Sequence, residues 1–234
     1  MDERVREILE SSRYAVFFGG AGMSTESGIP DFRSKDGLYH QKYPVSPETI
    51  LSHTYFMNHT EEFFRFYKDK MNSLSAEPNP AHYALAEWER RGILKAVITQ
   101  NIDGLHQKAG SQCVLELHGS VRRNFCYRCR KSYPAEAIFE SIGIPTCTCG
   151  DVIKPDVVLY EEALNPETVN EAIFHIENAD TLIIGGTSLT VYPAAGYVSL
   201  FKGKNLILIN RDPTPYDSAA TLCIHDSVGK ILGM

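Results

Sequence analysis

No run of apolar residues in the chain approaches the ~20 needed to cross a bilayer. The opening Met1-Asp2-Glu3-Arg4 lacks the basic-then-apolar order of a secretory leader. Positive charge is in deficit: 23 Lys and Arg stand against 29 Asp and Glu, for a net charge of -6 and a pI near 5.8. Phosphate backbones select for a positive surface, so this balance argues against general nucleic-acid binding. Internal repeats and low-complexity linkers are absent. Nothing points to export, so disulfides account poorly for the six cysteines. A soluble, cytoplasmic protein with no membrane partner is expected.

A further absence is local. Ala15-Val16-Phe17-Phe18 runs into Gly20-Ala21-Gly22, as a strand turns into a dinucleotide-binding helix, yet Thr25 stands at the third glycine of G-x-G-x-x-G. A dehydrogenase of that type also carries an acidic residue ~20 positions on, ending a second strand. Here that region is Lys35-Asp36-Gly37-Leu38-Tyr39, which follows no strand and makes Asp36 a turn residue. Hydride transfer therefore fits badly.

What is present is an ordinary globular composition, 43% hydrophobic and 22% charged over 234 residues, enough for a substantial core. Periodicity predicts a short amphipathic helix around Val5-Ile8-Leu9, then a strand at 14–18. Further helices are expected around 61–71, 81–91 and 166–178 and after Pro193, with strands at 96–99, 114–117, 157–160, 181–184 and 206–209. The alternation implies an α/β fold, a Rossmann-like parallel sheet with helices on both faces. Two irregular stretches read as inserts. The expected division is a discontinuous main domain (1–33, 79–118 and 157–234), a helical insert (34–78) and a metal-binding insert (119–156).

Polar residues gather at the predicted strand ends. Gly20 and Gly22 let backbone approach a pyrophosphate, with a helix N-terminus following, although tight turns use glycines for structural reasons too. In "TQNIDGLHQKAG", Gln100, Asn101 and Asp103 project from the carboxyl end of the sheet, where such folds bind ligands. Either Asn101 or Asp103 also suits a cap for the helix carrying His106. In "LELHGS", His118 ends another strand; alone it reads as structural, and its weight comes from the company of the other strand ends. Gly185-Gly186-Thr187-Ser188 suits phosphate or ribose contact, and Asn210, ending "LILIN", offers the ribose recognition that Asp36 cannot.

Cys126-x2-Cys129 and Cys147-x-Cys149 lie seventeen residues apart. Two close thiol pairs at that distance fit a tetrahedral zinc site of ribbon type, structural because no ligand position stays open. Four free thiols, or a weakened site, are the alternatives. Cys113 and Cys223 read as core residues, and Arg122, Arg123, Arg128, Arg130 and Lys131 as the solvated face of the ribbon.

Taken in order, "GAGMSTESGIPDFR", "TQNIDGLHQKAG", "LELHGS", "GTSLTVYPAA" and the cysteine pairs resemble the sirtuins, NAD-dependent protein lysine deacylases, from about Tyr14 to Val228. The resemblance implies NAD as co-substrate, one structural zinc, and acetylated-lysine proteins or peptides as partners. It implies that Gly20, Ala21, Gly22, Thr25, Asp31 and Arg33 serve phosphates and ribose, with Phe32 shielding the reaction centre. Gln100 would touch ribose, while Asn101, Ile102 and Asp103 line the nicotinamide pocket, Asn101 counting with His118 as catalytic. Gly186, Thr187, Ser188 and Asn210 would hold the adenosine half, with Val228 against adenine.

The implied reaction breaks the nicotinamide–ribose bond. The acyl oxygen of the modified lysine attacks the ribose carbon, and His118 then takes a ribose hydroxyl proton. Nicotinamide, O-acetyl-ADP-ribose and free lysine result. The peptide would pair as an added strand along Val158, Leu159 and Tyr160. Two departures from the family stand out: Glu161 occupies a usual glycine, and the second cysteine pair is one residue short. Family members that prefer succinyl or malonyl lysine carry Tyr-x-x-Arg where this chain has Phe64 and Tyr67, so neutral acyl groups, acetyl foremost, are expected. Only a register shifted by a turn would let Tyr67-x-x-Lys70 mimic that pair. ADP-ribosyl transfer to protein and a non-enzymatic nucleotide-sensing module are the competing functions. His118 with an intact "TQNIDGL" favours deacylation.

Overall fold

Short β-branched and aromatic runs build the central sheet of the computed structural model, which describes residues 1–31 and 43–233. In chain order the strands are β1 (Ala15–Gly19), β2 (Leu94–Thr99), β3 (Val114–Glu116), β4 (Gly119–Cys126), β5 (Ser132–Tyr133), β6 (Ile153–Val157), β7 (Thr181–Gly185), β8 (Asn205–Ile209) and β9 (Leu222–Ile224). Six of them form one sheet in the order β3-β2-β1-β7-β8-β9, every neighbouring pair parallel. The other three form an antiparallel sheet, β5-β4-β6. The helices are α1 (Glu3–Ser11), α2 (Pro47–Ile50), α3 (His53–Asn58), α4 (Thr60–Lys70), α5 (Pro80–Arg90), α6 (Leu105–Lys108), α7 (Glu136–Phe139), α8 (Pro166–Asn178), α9 (Ala194–Tyr197) and α10 (Val228–Leu232).

The period of two along each strand sorts side chains between two cores. Phe17, Val97, Ile183 and Ile207 face one side with Val5 and Leu9 of α1, Leu85 and Trp88 of α5 and Ile231 of α10. Val16, Phe18, Ile98, Leu182 and Leu208 face the other, against Ala172 and Ile176 of α8 and Ala194 of α9. Phe17 and Phe18 are both 0% exposed, and each such burial stabilises by about 1.5–3 kcal/mol. A third core joins α2, α3 and α4 to the small sheet through Phe56, Phe63, Tyr67, Val121 and Ile153.

Strand order reverses between β1 and β7, which pair in register from Ala15↔Thr181 to Gly19↔Gly185. At that switch point the loops after the two strands border the carboxyl-edge crevice where open α/β sheets bind ligands.

Three expectations change. The strand expected at 157–160 lies earlier, as β6, and belongs to the small sheet, because Ile153–Val157 pairs with β4. Residues 158–160 join no strand; among the described residues their ladder pairing is a single isolated bridge from Tyr160 to Ser52. The chain after 209 holds an unexpected edge strand, β9, whose three residues are too few to show a period. No α-helix follows the first glycines; two 3₁₀ turns, Ala21–Met23 and Thr25–Ser27, do.

Candidate active site

Every polar cluster singled out at a strand end falls along this carboxyl edge. The two glycine loops interlock by main chain: Gly20 N–H donates to the Gly185 carbonyl at 3.2 Å and Gly22 N–H to the Gly186 carbonyl at 2.8 Å. A Cβ on Gly22 would lie 2.8 Å from Gly186 Cα, and one on Gly186, where φ is +61°, 2.3 Å from the Met23 nitrogen. The glycines thus have a structural reason, close backbone packing, and it is the packing that sets the loop at the crevice. Thr25 Oγ1 donates to the Gly22 carbonyl at 3.1 Å and accepts from Arg211 at 2.6 Å. Ala21 lies half-buried beside them, and Asp31 closes the described part of this loop. Phe32, Arg33 and Asp36 lie outside the described residues.

β2 carries the next cluster. Asn101 and Asp103 are buried and share a third group, Ser24. The Ser24 hydroxyl donates to Asp103 Oδ2 at 2.7 Å and accepts from Asn101 Nδ2 at 3.0 Å. Asp103 Oδ1 also accepts from the Leu105 N–H at 2.9 Å, but Gly104 is the N-cap of α6, so Asp103 braces the turn into the helix and is not its cap. Burial raises the Asp103 pKa, opposed by the Leu105 N–H, the Ser24 hydroxyl and the nearby Arg122. Ile102 turns the other way, against the third core, and its carbonyl accepts from Val121 N–H. Gln100 accepts from Thr187 Oγ1 at 3.2 Å, while its buried Nε2 has no partner among the described residues.

His118 ends β3 beside them. Its Nδ1 lies 3.0 Å from the Gln100 carbonyl, which can only accept, so Nδ1 carries the proton and Nε2 the lone pair. Burial lowers the His118 pKa, with the Gln100 bond pulling weakly the other way, which keeps the ring neutral near pH 7. The His118 carbonyl accepts from Val158 N–H at 3.0 Å. Leu159 N–H is taken by Glu162 at 2.9 Å and Tyr160 N–H by the Leu51 carbonyl at 3.0 Å. Of the carbonyls, those of Leu159 and Tyr160 also accept, leaving the Val158 carbonyl as the acceptor nearest His118 with no backbone partner among the described residues. Lys154 and His53 anchor Glu162 at 3.1 and 2.9 Å. Glu161 adopts φ +76°, the left-handed region that suits glycine, and its carboxylate accepts from Thr54 N–H at 2.8 Å in the first turn of α3.

On the far side of the crevice, Thr187 is buried, and Ser188 Oγ pairs with Thr190 at 2.8 Å. Asn210 donates to the Asp212 carbonyl at 2.8 Å. Val228, 3% exposed, begins α10 within reach of Gly185. The interlocked glycines, the orphaned Gln100 amide and the neutral His118 together fit a nucleotide whose sugar bridges the two halves.

Sequence reasoning missed three residues. Arg211 follows Asn210 directly, so position alone could have flagged it, whereas Ser24, inside the first motif, is marked only by its contact with the distant Asn101 and Asp103. Arg122 is no solvated ribbon residue: its Nε reaches the Asp103 carbonyl at 3.5 Å, and a buried terminal nitrogen has no partner among the described residues. Arg123 bridges Glu116 and Asp156, and Arg130 stacks 3.7 Å over Phe125.

The four ribbon cysteines converge, all four sulfurs lying within 4.8 Å of one another. Cys126 and Cys149 sulfurs are 3.4 Å apart, Cys129 and Cys147 sulfurs 3.6 Å. A disulfide would need ~2.05 Å; tetrahedral zinc with Zn–S of ~2.3 Å sets sulfurs about 3.8 Å apart. The donors therefore fit zinc, shortened pair included. The Cys149 N–H and the Tyr133 hydroxyl point at Cys147 Sγ and lower that thiol to about 6. Both remaining cysteines are half-buried: Cys113 lies 3.9 Å from His175, and Cys223, which packs against the second core as expected, lies 3.7 Å from His225.

A model of the Sir2 family matches residues 20–193. An NAD-dependent protein deacetylase of Clostridium tetani is 55% identical over 239 residues, covering 100% of this chain and 97% of its own length. Its namesake in Clostridium perfringens is 56% identical over 240 residues, covering 100% and 98%. A solved Sir2 with p53 peptide and NAD+ matches with a TM-score of 0.88 at 40% identity, over 98% of this chain and 95% of that one. Another, Sir2 with an inhibitor, 2'-O-acetyl-ADP-ribose and deacetylated p53 peptide, matches at 0.87 and 38%, over 98% and 95%.

Proposed function

The chain belongs to the Sir2 family, and from that premise we infer an NAD-dependent protein lysine deacetylase. It cleaves the nicotinamide–ribose bond of NAD and moves the acetyl group from lysine to ADP-ribose. The observation that carries the reading is the bond from His118 Nδ1 to the Gln100 carbonyl, because it joins a base to the ribose side of the crevice.

In this reading the interlocked loops holding Gly20, Ala21, Gly22 and Gly186 cradle the pyrophosphate through main chain. Thr25, with Arg211 behind it, serves phosphate and ribose, as do Asp31 and, outside the described residues, Phe32 and Arg33. Thr187, Ser188 and Asn210 hold the adenosine half against Val228. Gln100 offers its unpartnered amide to the nicotinamide ribose, whose neighbours are Asn101, Ile102 and Asp103. Ser24 fixes the direction in which Asn101 and Asp103 point, so the pair meets the carboxamide already oriented.

The Val158 carbonyl is the acceptor for the acyl-lysine amide N–H, which sets the acyl oxygen toward the ribose. Attack by that oxygen at the ribose carbon expels nicotinamide. His118 Nε2 then accepts the proton of a ribose hydroxyl as that oxygen adds to the acyl carbon; collapse there breaks the C–N bond and expels the lysine amine, and water adds to the resulting cyclic acyl cation, which opens to O-acetyl-ADP-ribose. The peptide lies along Val158, Leu159 and Tyr160, although most N–H groups there are already spent, so it pairs through few main-chain bonds. Cys126, Cys129, Cys147 and Cys149 hold zinc as a structural ion, remote from these steps.

The division into a cofactor domain (1–33, 79–118 and 157–234), a helical insert (34–78) and a metal insert (119–156) is part of the proposal. It is supported by all six parallel strands falling within the first set. Acetylated proteins or peptides are its partners and the cytoplasm its setting, the latter supported by thiols arranged for metal rather than paired as cystine. Among the described residues no helix is long and apolar enough to cross a membrane. The net charge of -6 supports leaving nucleic acid out.

His118→Ala tests the assignment. Loss of a general base lowers deacetylation ~10²–10⁴-fold, while NAD affinity by calorimetry stays near wild type. Near wild-type turnover by the variant would remove His118 from the mechanism.

A further inference from the structure

A second cluster of ligand-type side chains lies at the opposite edge of the sheet from His118, where β9 ends. Cys223 lies on the edge strand β9 and His225 follows it directly at i+2, a spacing that in extended chain turns both side chains to one face. Cys223 Sγ is 3.7 Å from His225 Nε2, and His225 Nε2 is 3.2 Å from Asp217 Oδ2. These three donor atoms fall within 4.8 Å of one another. Around zinc, ligand atoms at ~2.0–2.3 Å in tetrahedral geometry stand roughly 3.3–3.6 Å apart. The spacings therefore need only small side-chain adjustments.

The surroundings orient the same atoms. His225 Nδ1 faces the Asn210 carbonyl at 3.3 Å and Nε2 faces the Asp217 carboxylate at 3.2 Å; both partners only accept, so each nitrogen donates, and a bound metal ion would take the place of the Nε2 proton. A histidine whose other nitrogen is tied to a backbone carbonyl is the usual arrangement behind a metal-ligating imidazole. Asp217 is fixed as well: Oδ1 accepts from the Thr214 N–H at 2.9 Å and hydroxyl at 2.8 Å, which leaves Oδ2 for the cluster. An ion pair between His225 and Asp217 accounts for two members and Cys223 also packs against the second core, so the metal reading rests on the three donor atoms lying together.

We propose that Asp217, Cys223 and His225 form a site for a thiophilic divalent transition ion of the zinc class, separate from the four-cysteine ribbon. Three protein ligands leave a fourth position to solvent, and the partial exposure of His225, 45% for its side chain, gives the ion a path of entry. The ion ties the loop after Asn210 to the end of β9, so the site borders the segment assigned to the adenosine half.

The test uses the zinc-loaded protein and cobalt(II) as probe. Wild type takes up cobalt beyond its ribbon zinc and gains the near-ultraviolet thiolate-to-cobalt charge-transfer band. Cys223→Ser abolishes that band, and His225→Ala weakens the added binding at least ~100-fold, the upper end of what losing even an outer-shell partner costs. Thermal melting of each variant checks that the fold persists, and Asp217→Asn, which keeps the side-chain shape, gives an independent loss of affinity. Absence of the band in wild type, or its persistence in Cys223→Ser, overturns the proposal.

Discussion

At the scale of single residues, the working parts are held by partners that themselves do no chemistry. His118 gains its tautomer from the Gln100 carbonyl, and Asn101 and Asp103 gain their directions from Ser24. Burial then sets the pH response. In the proposed mechanism His118 is the neutral base, and burial lowers its pKa below the ordinary ~6.5. Activity is therefore full above that lowered value and falls only as pH drops through it. The acid limb of kcat/KM for wild type, measured at fixed saturating peptide, should lie below pH ~6.5. An acid limb above pH 7 would mean that another group supplies the base. Most of the polar residues were legible because side-chain type and strand-end position both mark them. Ser24 was not, since its importance comes from a contact between segments that are distant in sequence. Arg122 was misread because a cluster of basic residues looks solvated until packing shows which of them is inside.

At the scale of elements, the strands and helices of the main sheet were legible from period and length. The failures share a cause. β9 is too short to carry a period, and β6 runs into the extended segment 158–160, so their boundary is set by pairing with β4 rather than by composition. The first glycine loop turns through 3₁₀ geometry because it must pack against Gly185-Gly186, which a sequence motif does not reveal. Helix α4 bears on substrate choice. Phe64 is 1% and Tyr67 0% exposed, Lys68 donates to Ser141 and the Gly143 carbonyl, and Lys70 pairs with Asp69. An acyl carboxylate meeting Phe64 and Tyr67 would be desolvated without a charged partner. The acetyl form of a peptide should thus exceed its succinyl form in kcat/KM by at least ~10-fold. A ratio favouring succinyl would show that a cation reaches the acyl group.

The ribbon is an element in its own right. Cys126 belongs both to the four-sulfur cluster and to the third core, alongside Phe56 and Ile153. Removing it should release the metal and lower thermal stability while leaving every group of the crevice in the chain. Elemental analysis should find zinc at ~1 per chain in wild type and a marked loss in Cys126→Ala. Metal-free wild-type protein that melts like the loaded form would show that the ribbon stands without zinc.

At the scale of the whole molecule, the reaction depends on two bodies of structure meeting. The parallel sheet brings its polar strand ends to one edge, and the small sheet delivers Val158 to the His118 carbonyl. In the proposed mechanism that junction requires both an acyl-lysine at Val158 and a dinucleotide at the glycine loops before any bond breaks. Nicotinamide release should accordingly depend on the acylated peptide, which separates deacetylation from protein ADP-ribosylation and from simple nucleotide sensing. The direct measurement is mass-spectrometric quantitation of nicotinamide, O-acetyl-ADP-ribose and deacetylated peptide from purified protein, NAD and an acetyl-lysine peptide, with an unacetylated control. The account predicts equal amounts of all three products and nicotinamide near background in the control. Nicotinamide released at the same rate without the acetyl group, or ADP-ribose found attached to protein in place of O-acetyl-ADP-ribose, would contradict it.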